Sequence, residues 1–509
     1  MKKINNIFSF RLIVAVLLTW GIFTLLVWQD HGNLLNWDEI DYVNSTRLGV
    51  WANATEKGSL SPQEYIKFSL SKIRKSETEY ILPENYSEDK DPFILRHYHP
   101  PFVNYLIAIV DNIFGSDNER IFRSVQLFGA LVLIFAIYAC YYQMSCRNTS
   151  GSGILIIGGL CIWMCTGLFK SLHFHGWQAV WIVFVSWFLT DWLNESKNKI
   201  GLIISLALSV LTLETGLFVV FFTFGIVLAY SYFQIKQTTW HQIAYGFILL
   251  VGLVAIGWSG AFLKISLIKI FGQYFYRFMF GQEYVGATQR FTDGIILLLP
   301  IFLMSLITLG FLIKKDKDQL KKWVVFFAIG WLYALVLLPV SISYTYLLPS
   351  AGPLIIFVGS SISVISNKWH KLSIVFLTIL LIISLFTTKS HFSSVEDIKS
   401  RTDLEWLKGK LQNRESLIDG SQIYSFYLGE NYLIYPLNVN YEGSRLLIRE
   451  NGKFIPLENN RIKGKILIIQ KTGRKFEENK EQIIPSGCQL YEGLTVWLYD
   501  CANYIPVDK

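Results

Sequence analysis

Charge is scarce in this chain. Asp, Glu, Lys and Arg make up 17% of its 509 residues, whereas hydrophobic residues make up 52% and the mean hydropathy is +0.38. So little charge on so much apolar surface excludes a disordered chain, a coiled coil and an ordinary soluble enzyme. Paired cysteine motifs are missing too: the six cysteines are scattered and none forms a CxxC pair. Cys140, Cys146, Cys161 and Cys165 lie in or beside apolar blocks, where a small buried thiol is expected. No internal repeat is evident, so the inverted-repeat signature of many transporters is lacking. No nucleic-acid module accompanies the net charge of +8, so nucleic acid is not expected as a partner.

What the chain has is apolar blocks. A spanning helix needs about 20 such residues, and there are about eleven blocks of that kind. They fall near 11–28, 121–143, 153–169, 177–193, 200–213, 215–234, 243–262, 294–313, 323–340, 345–364 and 372–388. The pair 200–213 and 215–234 reads either as two spans or as one long tilted helix broken near Glu214-Thr215-Gly216. Met1-Lys2-Lys3 precedes the first block and no small-x-small cleavage site follows it before Gln29-Asp30, so an uncleaved signal-anchor helix is expected. The fold class is therefore mostly α, a polytopic transmembrane bundle.

Basic residues orient it. With Lys2, Lys3 and Arg11 inside, the inner loops carry Arg147, then Lys197 and Lys199, then Lys236, then Lys314 to Lys322, then Lys368 and Lys371. Every short inner loop is basic, as the positive-inside bias requires. An odd number of spans puts the N-terminus in the cytoplasm and the C-terminus outside. Three larger segments then face out: a first loop near 29–120, a second near 263–293 and a tail near 390–509. The tail alternates β-like runs (Ile423–Leu428, Tyr432–Leu437, Lys465–Gln470, Leu494–Tyr499) with a helical stretch near Val395–Leu411. At about 120 residues it can bury its own core, so two domains are expected: a membrane domain over 1–389 and a small exoplasmic α/β domain over 390–509. Cys488 and Cys501 lie in the latter, either as a disulfide, which an oxidising compartment permits, or as two free thiols.

The first outer loop carries the chemistry. It opens with Asn36-Trp37-Asp38-Glu39-Ile40-Asp41-Tyr42. At a helix start such acids act as caps favoured by the helix dipole; at a membrane surface they equally suit a general base or a metal ligand. The loop ends with Arg96-His97-Tyr98-His99-Pro100-Pro101-Phe102, whose prolines set the angle at which the next segment leaves. Phe102–Phe114 is too short to span and suits a re-entrant or interfacial helix. Arg123 sits where the next span begins, either snorkelling or binding phosphate. In the second outer segment Lys264, Lys269, Arg277 and Arg290 are cationic clamp candidates or interfacial basic residues. The aromatic run Phe271–Phe280 reads as a lipid-chain groove or as a membrane belt.

An acidic pair just after the first span, a His-Pro-Pro at the end of the first outer loop and an Arg entering the next span together resemble the GT-C glycosyltransferases. The protein mannosyltransferase and aminoarabinose transferase branch is the most similar part of that family. Ser343-Tyr344-Thr345-Tyr346-Leu347-Leu348-Pro349 with Pro353 resembles the late Tyr-x-x-Pro feature of the same branch. The resemblance covers roughly 1–390. It implies a sugar taken from a polyprenyl-phosphate carrier and moved, with inversion, to a lipid, glycan or protein acceptor on the outer face of the cell membrane. It implies Asp38 as base, with Glu39 as runner-up or metal partner, and phosphate or carrier contacts from His99, Arg123, Arg277, Arg290 and Tyr346. Relatives often carry an Asp where this chain has Lys170-Ser171-Leu172-His173-Phe174-His175-Gly176-Trp177, so a divalent metal ion is left open as a cofactor and no ligand set is assigned. Two other classes remain as alternatives: a multi-span transporter, and a non-catalytic assembly protein of envelope polysaccharide.

Overall fold

The structure is a computed structural model. It describes residues 10–36, 39–40, 42–43, 46, 100–115, 118–144, 151–213, 215–233, 240–257, 287–315, 317–338, 344–362 and 394–410. In the C-terminal segment it describes 417–419, 426–427, 437–440, 445–450, 453–456, 466–470 and 489–500.

Uncharged runs of Leu, Ile, Val and Phe satisfy their own backbone only as helices when water is absent, and helices dominate accordingly. They are α1 (Phe10–Val27), α2 (Phe102–Phe114), α3 (Glu119–Met144), α4 (Gly151–Leu168), α5 (Phe174–Glu195), α6 (Lys199–Thr212), α7 (Gly216–Tyr232), α8 (Trp240–Gly257), α9 (Ala287–Lys315), α10 (Lys317–Leu337), α11 (Ala351–Ile362) and α12 (Ser394–Lys410). A helix occupies each expected span as far as 345–364, while 372–388 lies outside the described residues. By length and composition α1 and α3 are apolar enough to cross a membrane, and shorter apolar helices stand beside them.

Two details differ from the sequence reading or resolve it. Residues 199–232 form two helices, not one: Leu213 is extended (φ −153°) and α7 turns back on α6. Gly216 makes that turn, because a Cβ there would collide with the Ser209 carbonyl. The block at 345–364 does not begin as α-helix. Two single 3-10 turns, Tyr344–Tyr346 and Leu348–Ser350, precede α11. Pro349 has no N–H to donate, and the residue before a proline is pushed out of the helical region.

The bundle packs as membrane proteins do, with small residues at contacts and polar side chains bonded across helices. The Phe169 ring sits against Gly176 and Gly129; a Cβ at Gly176 would collide with it, and one at Gly129 would come within 2.7 Å of Cε1. Thr19 and Tyr138 share a hydroxyl bond of 3.1 Å, Trp20 Nε1 donates to Leu127 O at 2.9 Å, and Gln178 Nε2 donates to Ser209 Oγ at 2.9 Å. Large apolar side chains such as Leu25, Leu155 and Ile307 stay exposed on outer faces, which suits a hydrocarbon surround.

In the C-terminal segment β5 (Ile466–Gln470) runs parallel to β1 (Leu417–Asp419) and antiparallel to β7 (Val496–Asp500), which pairs antiparallel with β6 (Gln489–Glu492). A second antiparallel sheet joins β2 (Leu437–Asn440), β3 (Arg445–Glu450) and β4 (Lys453–Pro456). Helix α12 presses Leu404 and Leu407 onto Val496 and Leu498 of β7. The buried Asp403 carboxylate accepts from Leu494 N at 2.7 Å and from Thr495 Oγ1 at 2.6 Å, which fixes the helix to the β6–β7 turn. The expected strand over Ile423–Leu428 is not what forms at its described residues: Phe426 and Tyr427 are helical. Their rings pack edge to face, Tyr427 also packs against the α12–β7 cluster, and its hydroxyl accepts from Leu35 N of the segment after α1 at 2.8 Å.

Candidate active site at the head of the bundle

The chain leaves α1 in a short 3-10 turn, Asp30–Gly32, and then starts a new helix at Asn36. That start is a capping box. Glu39 N donates to Asn36 Oδ1 at 3.0 Å and Asn36 N donates back to Glu39 Oε2 at 2.8 Å. Glu39 is fully buried and does more than cap. Arg123, at the head of α3 and itself 4% exposed, grips it from two sides: Nε donates to Oε1 at 2.7 Å and Nη2 to Oε2 at 2.6 Å. Leu172 N, in the α4–α5 turn, donates to Oε1 at 2.7 Å. Burial would raise the Glu39 pKa, but the Arg123 charge and these hydrogen bonds hold it below the usual carboxylate range.

Arg123 is equally committed. Nη1 donates to the carbonyls of Asp30 (3.1 Å), His31 (3.1 Å) and Asn33 (2.5 Å), and Nη2 to that of Leu34 (3.1 Å). Every nitrogen of the guanidinium is therefore engaged, and one side chain gathers the exit of α1, the new helix start and the α4–α5 turn. His31 joins the same knot, its Nε2–H donating to Phe169 O at 3.0 Å. Burial pulls its pKa down to about 4, with the Arg123 charge helping and the Phe169 bond opposing, so the ring is neutral at pH 7. Asp30 lies 3.7 Å from Lys170. Burial raises its pKa and the lysine partly offsets this.

Beside this knot lies an aromatic row. The His173 and His175 rings stack at 4.4 Å, and His175 meets the Tyr346 ring at 4.2 Å. Tyr42 approaches His173 edge-on at 6.0 Å and Phe174 at 4.4 Å. Gln126 Nε2 holds the His173 carbonyl at 2.9 Å, and Asn104 Nδ2 reaches Tyr42 O at 3.3 Å. The late tyrosine motif and the two histidines of the α4–α5 turn, far apart in sequence, thus share one surface. The C-terminal segment reaches the knot around Arg123: Arg401 on α12 donates to Gly32 O and to Glu119 Oε1 at 3.0 Å.

Of the residues singled out in the sequence, Glu39 and Arg123 are brought together as an ion pair, and Tyr346 is placed against His175. Arg290 lies in α9, with its side chain outside the described residues. Asp38, His99 and Arg277 lie outside the described residues, as do Asp41, Lys264, Lys269, Glu214, Cys488 and Cys501. Among the described residues no group of three or more His, Cys, Asp or Glu is gathered to hold a metal ion. Sequence reasoning missed Asp30, His31, Gln126 and Arg401. Gln126 lies two turns into α3 and Arg401 mid-way along the polar α12, where nothing local marks them, and only the doublet Asp30-His31 straight after an apolar span offered a signal.

No family model matches the sequence, and no curated protein matches it. Solved structures do match in fold. The crystal structure of ArnT from Cupriavidus metallidurans in the apo state superposes with a TM-score of 0.53 at 11% identity, over 92% of this chain and 98% of that one. The same protein bound to undecaprenyl phosphate gives 0.50 at 11% identity, over the same shares of both chains. The Archaeoglobus fulgidus oligosaccharyltransferase in complex with Zn and sulfate gives 0.52 at 12% identity, over 98% of this chain and 74% of that one. Both proteins are membrane glycosyltransferases of the GT-C superfamily, and this chain shares their fold.

Proposed function

We propose that the chain is an integral membrane glycosyltransferase that takes a sugar from a polyprenyl-phosphate carrier and transfers it to an acceptor on the outer face of the cell membrane. The observation that carries this reading is the likeness of fold along nearly the whole chain to ArnT, a protein crystallised with undecaprenyl phosphate. The membrane domain would span 1–389 with its N-terminus in the cytoplasm, and 390–509 would form the outer α/β domain.

In this reading Asp38 is the base. A glycosyl phosphate already carries a good leaving group, so the reaction needs a base beside the acceptor and positive charge or donors at the departing phosphate. The acceptor hydroxyl attacks the anomeric carbon, the bond to the carrier phosphate breaks, the hydroxyl proton passes to Asp38 and the configuration inverts. Glu39 and Arg123 are assigned here to positioning: their lone pairs and donors face protein groups, and Glu39 is the immediate neighbour of Asp38. Tyr346 with His175, together with His99, Arg277 and Arg290, are the proposed contacts to phosphate and carrier.

The experiment is reconstitution of wild type and Asp38→Asn with a panel of polyprenyl-phosphate sugars and candidate acceptors. Wild type should release free polyprenyl phosphate. Asp38→Asn should bind donor normally yet turn over about 100-fold or more slowly. Full turnover by Asp38→Asn would remove it as the base, and absence of donor binding by wild type would overturn the transferase reading.

A further inference from the structure

We infer that a groove at the lysine-bearing end of the bundle holds an acyl chain of an anionic phospholipid, with the lipid phosphate at Lys199. Helices α7 and α8 both pack against α6 and leave a cleft between them. Its volume is about 140 Å³, and the cleft is open along one side. The walls are hydrocarbon: Leu206 of α6, Val220, Phe224 and Val227 of α7, Ile243 and Phe247 of α8. Phe224 and Phe247 remain exposed along its edge. Lys199, which opens α6, and Gln242, in the first turn of α8, bring polar groups to the mouth, and Thr223 of α7 is a polar residue within the walls.

Charge decides the headgroup. Lys199 is exposed and makes no hydrogen bond or ion pair among the described residues, whereas its neighbour Lys197 is bound to Glu195 at 2.5 Å. Asp191, one turn before Glu195 on α5, is occupied by Asn198 and Gln143. An unengaged ammonium above an apolar cleft suits a phosphate on a fatty chain, and one lysine near a bilayer surface favours anionic over neutral lipid. Gly246 keeps the cleft open, since a Cβ there would meet only Ile203 Cδ1 at 3.8 Å. The groove is separate from the proposed donor site. Trp192 at its rim and His175 at the head of the bundle lie on the same helix α5, about 26 Å apart at 1.5 Å per residue.

The full chain is purified in detergent, stripped of lipid and offered phosphatidylglycerol or phosphatidylcholine, and bound lipid is counted by native mass spectrometry. Wild type should retain phosphatidylglycerol about five-fold better. Lys199→Glu should abolish that preference. Gly246→Leu, which fills the groove at an open position of α8, should release both lipids while the lipid-free melting point stays unchanged. Val220→Phe fills it from α7 and should do the same, so the result does not hang on one variant folding. Equal binding of both lipids by wild type, or full retention by both filled variants, would overturn the inference.

Discussion

Glu39 and Arg123 form a buried ion pair that ties together three stretches of chain at the head of the bundle. Removing one partner of a buried pair leaves the other charge uncompensated, at a cost of about 3–5 kcal/mol. Glu39→Gln should therefore lower the thermal midpoint sharply and reduce yield, whereas Asp38→Asn should leave the midpoint near that of wild type; thermal melting of the two purified variants separates the roles. Acid should act on the same knot. Unfolded, His31 titrates near 6.5; folded, near 4, so the unfolded chain binds more protons between these values and stability falls as the pH drops from 6.5 to 4. Glu39, whose pKa is depressed, loses its stabilisation as the pH falls further, while Asp30, whose pKa is raised, works the other way. His31→Gln should flatten the fall in melting temperature between pH 6.5 and 4, and an unchanged slope would acquit His31. The sequence marked Glu39 and Arg123 as residues of interest but did not pair them, because 84 positions separate them and nothing in their spacing betrays the contact. His31 could not be ranked at all, since its depressed pKa comes from burial, which a lone histidine does not announce.

At the scale of elements, apolar runs were readable because hydrocarbon permits little besides helix, and α12, β5 and β7 lie at stretches the sequence pattern picks out. Contacts between elements were not readable. Nothing in the local sequence says that the Phe169 ring lies between Gly129 and Gly176, yet those two glycines set how closely α3 and α5 approach it. Gly176→Val should push the ring aside and shift the α4–α5 turn that donates Leu172 N to Glu39. Overpacking of this kind costs about 1–3 kcal/mol, readable as a lower melting temperature. Gly225→Ala, where a Cβ meets nothing within 4 Å, is the control and should be neutral or slightly stabilising. The 3-10 turns around Tyr346 escaped the hydropathy pattern for a different reason. Their residues were counted into the apolar block at 345–364, and Pro349 is the residue that signals a departure of the backbone from α-helix there.

Across the whole molecule, the C-terminal segment is tied to the chain after α1 and to the head of α3 through Arg401, which bonds Gly32 O and Glu119, and through Tyr427, which accepts from Leu35 N. Helix α12 is in turn anchored by Asp403 to the β6–β7 turn. If the loop positions the base, Arg401→Ala should lower turnover in the reconstituted assay several-fold with donor affinity kept, and loss of donor affinity alone would instead assign the arginine to binding. The sequence separated these two regions into different domains by composition, and composition is silent about a bridge of two side chains. The bridge also has a consequence in time. A ribosome releases Gly32 long before Arg401, so the segment after α1 is made while its brace is still missing. Each new chain passes through an interval in which the apolar helices are made but the head of the bundle is unfastened, and translation of the last quarter of the message closes it.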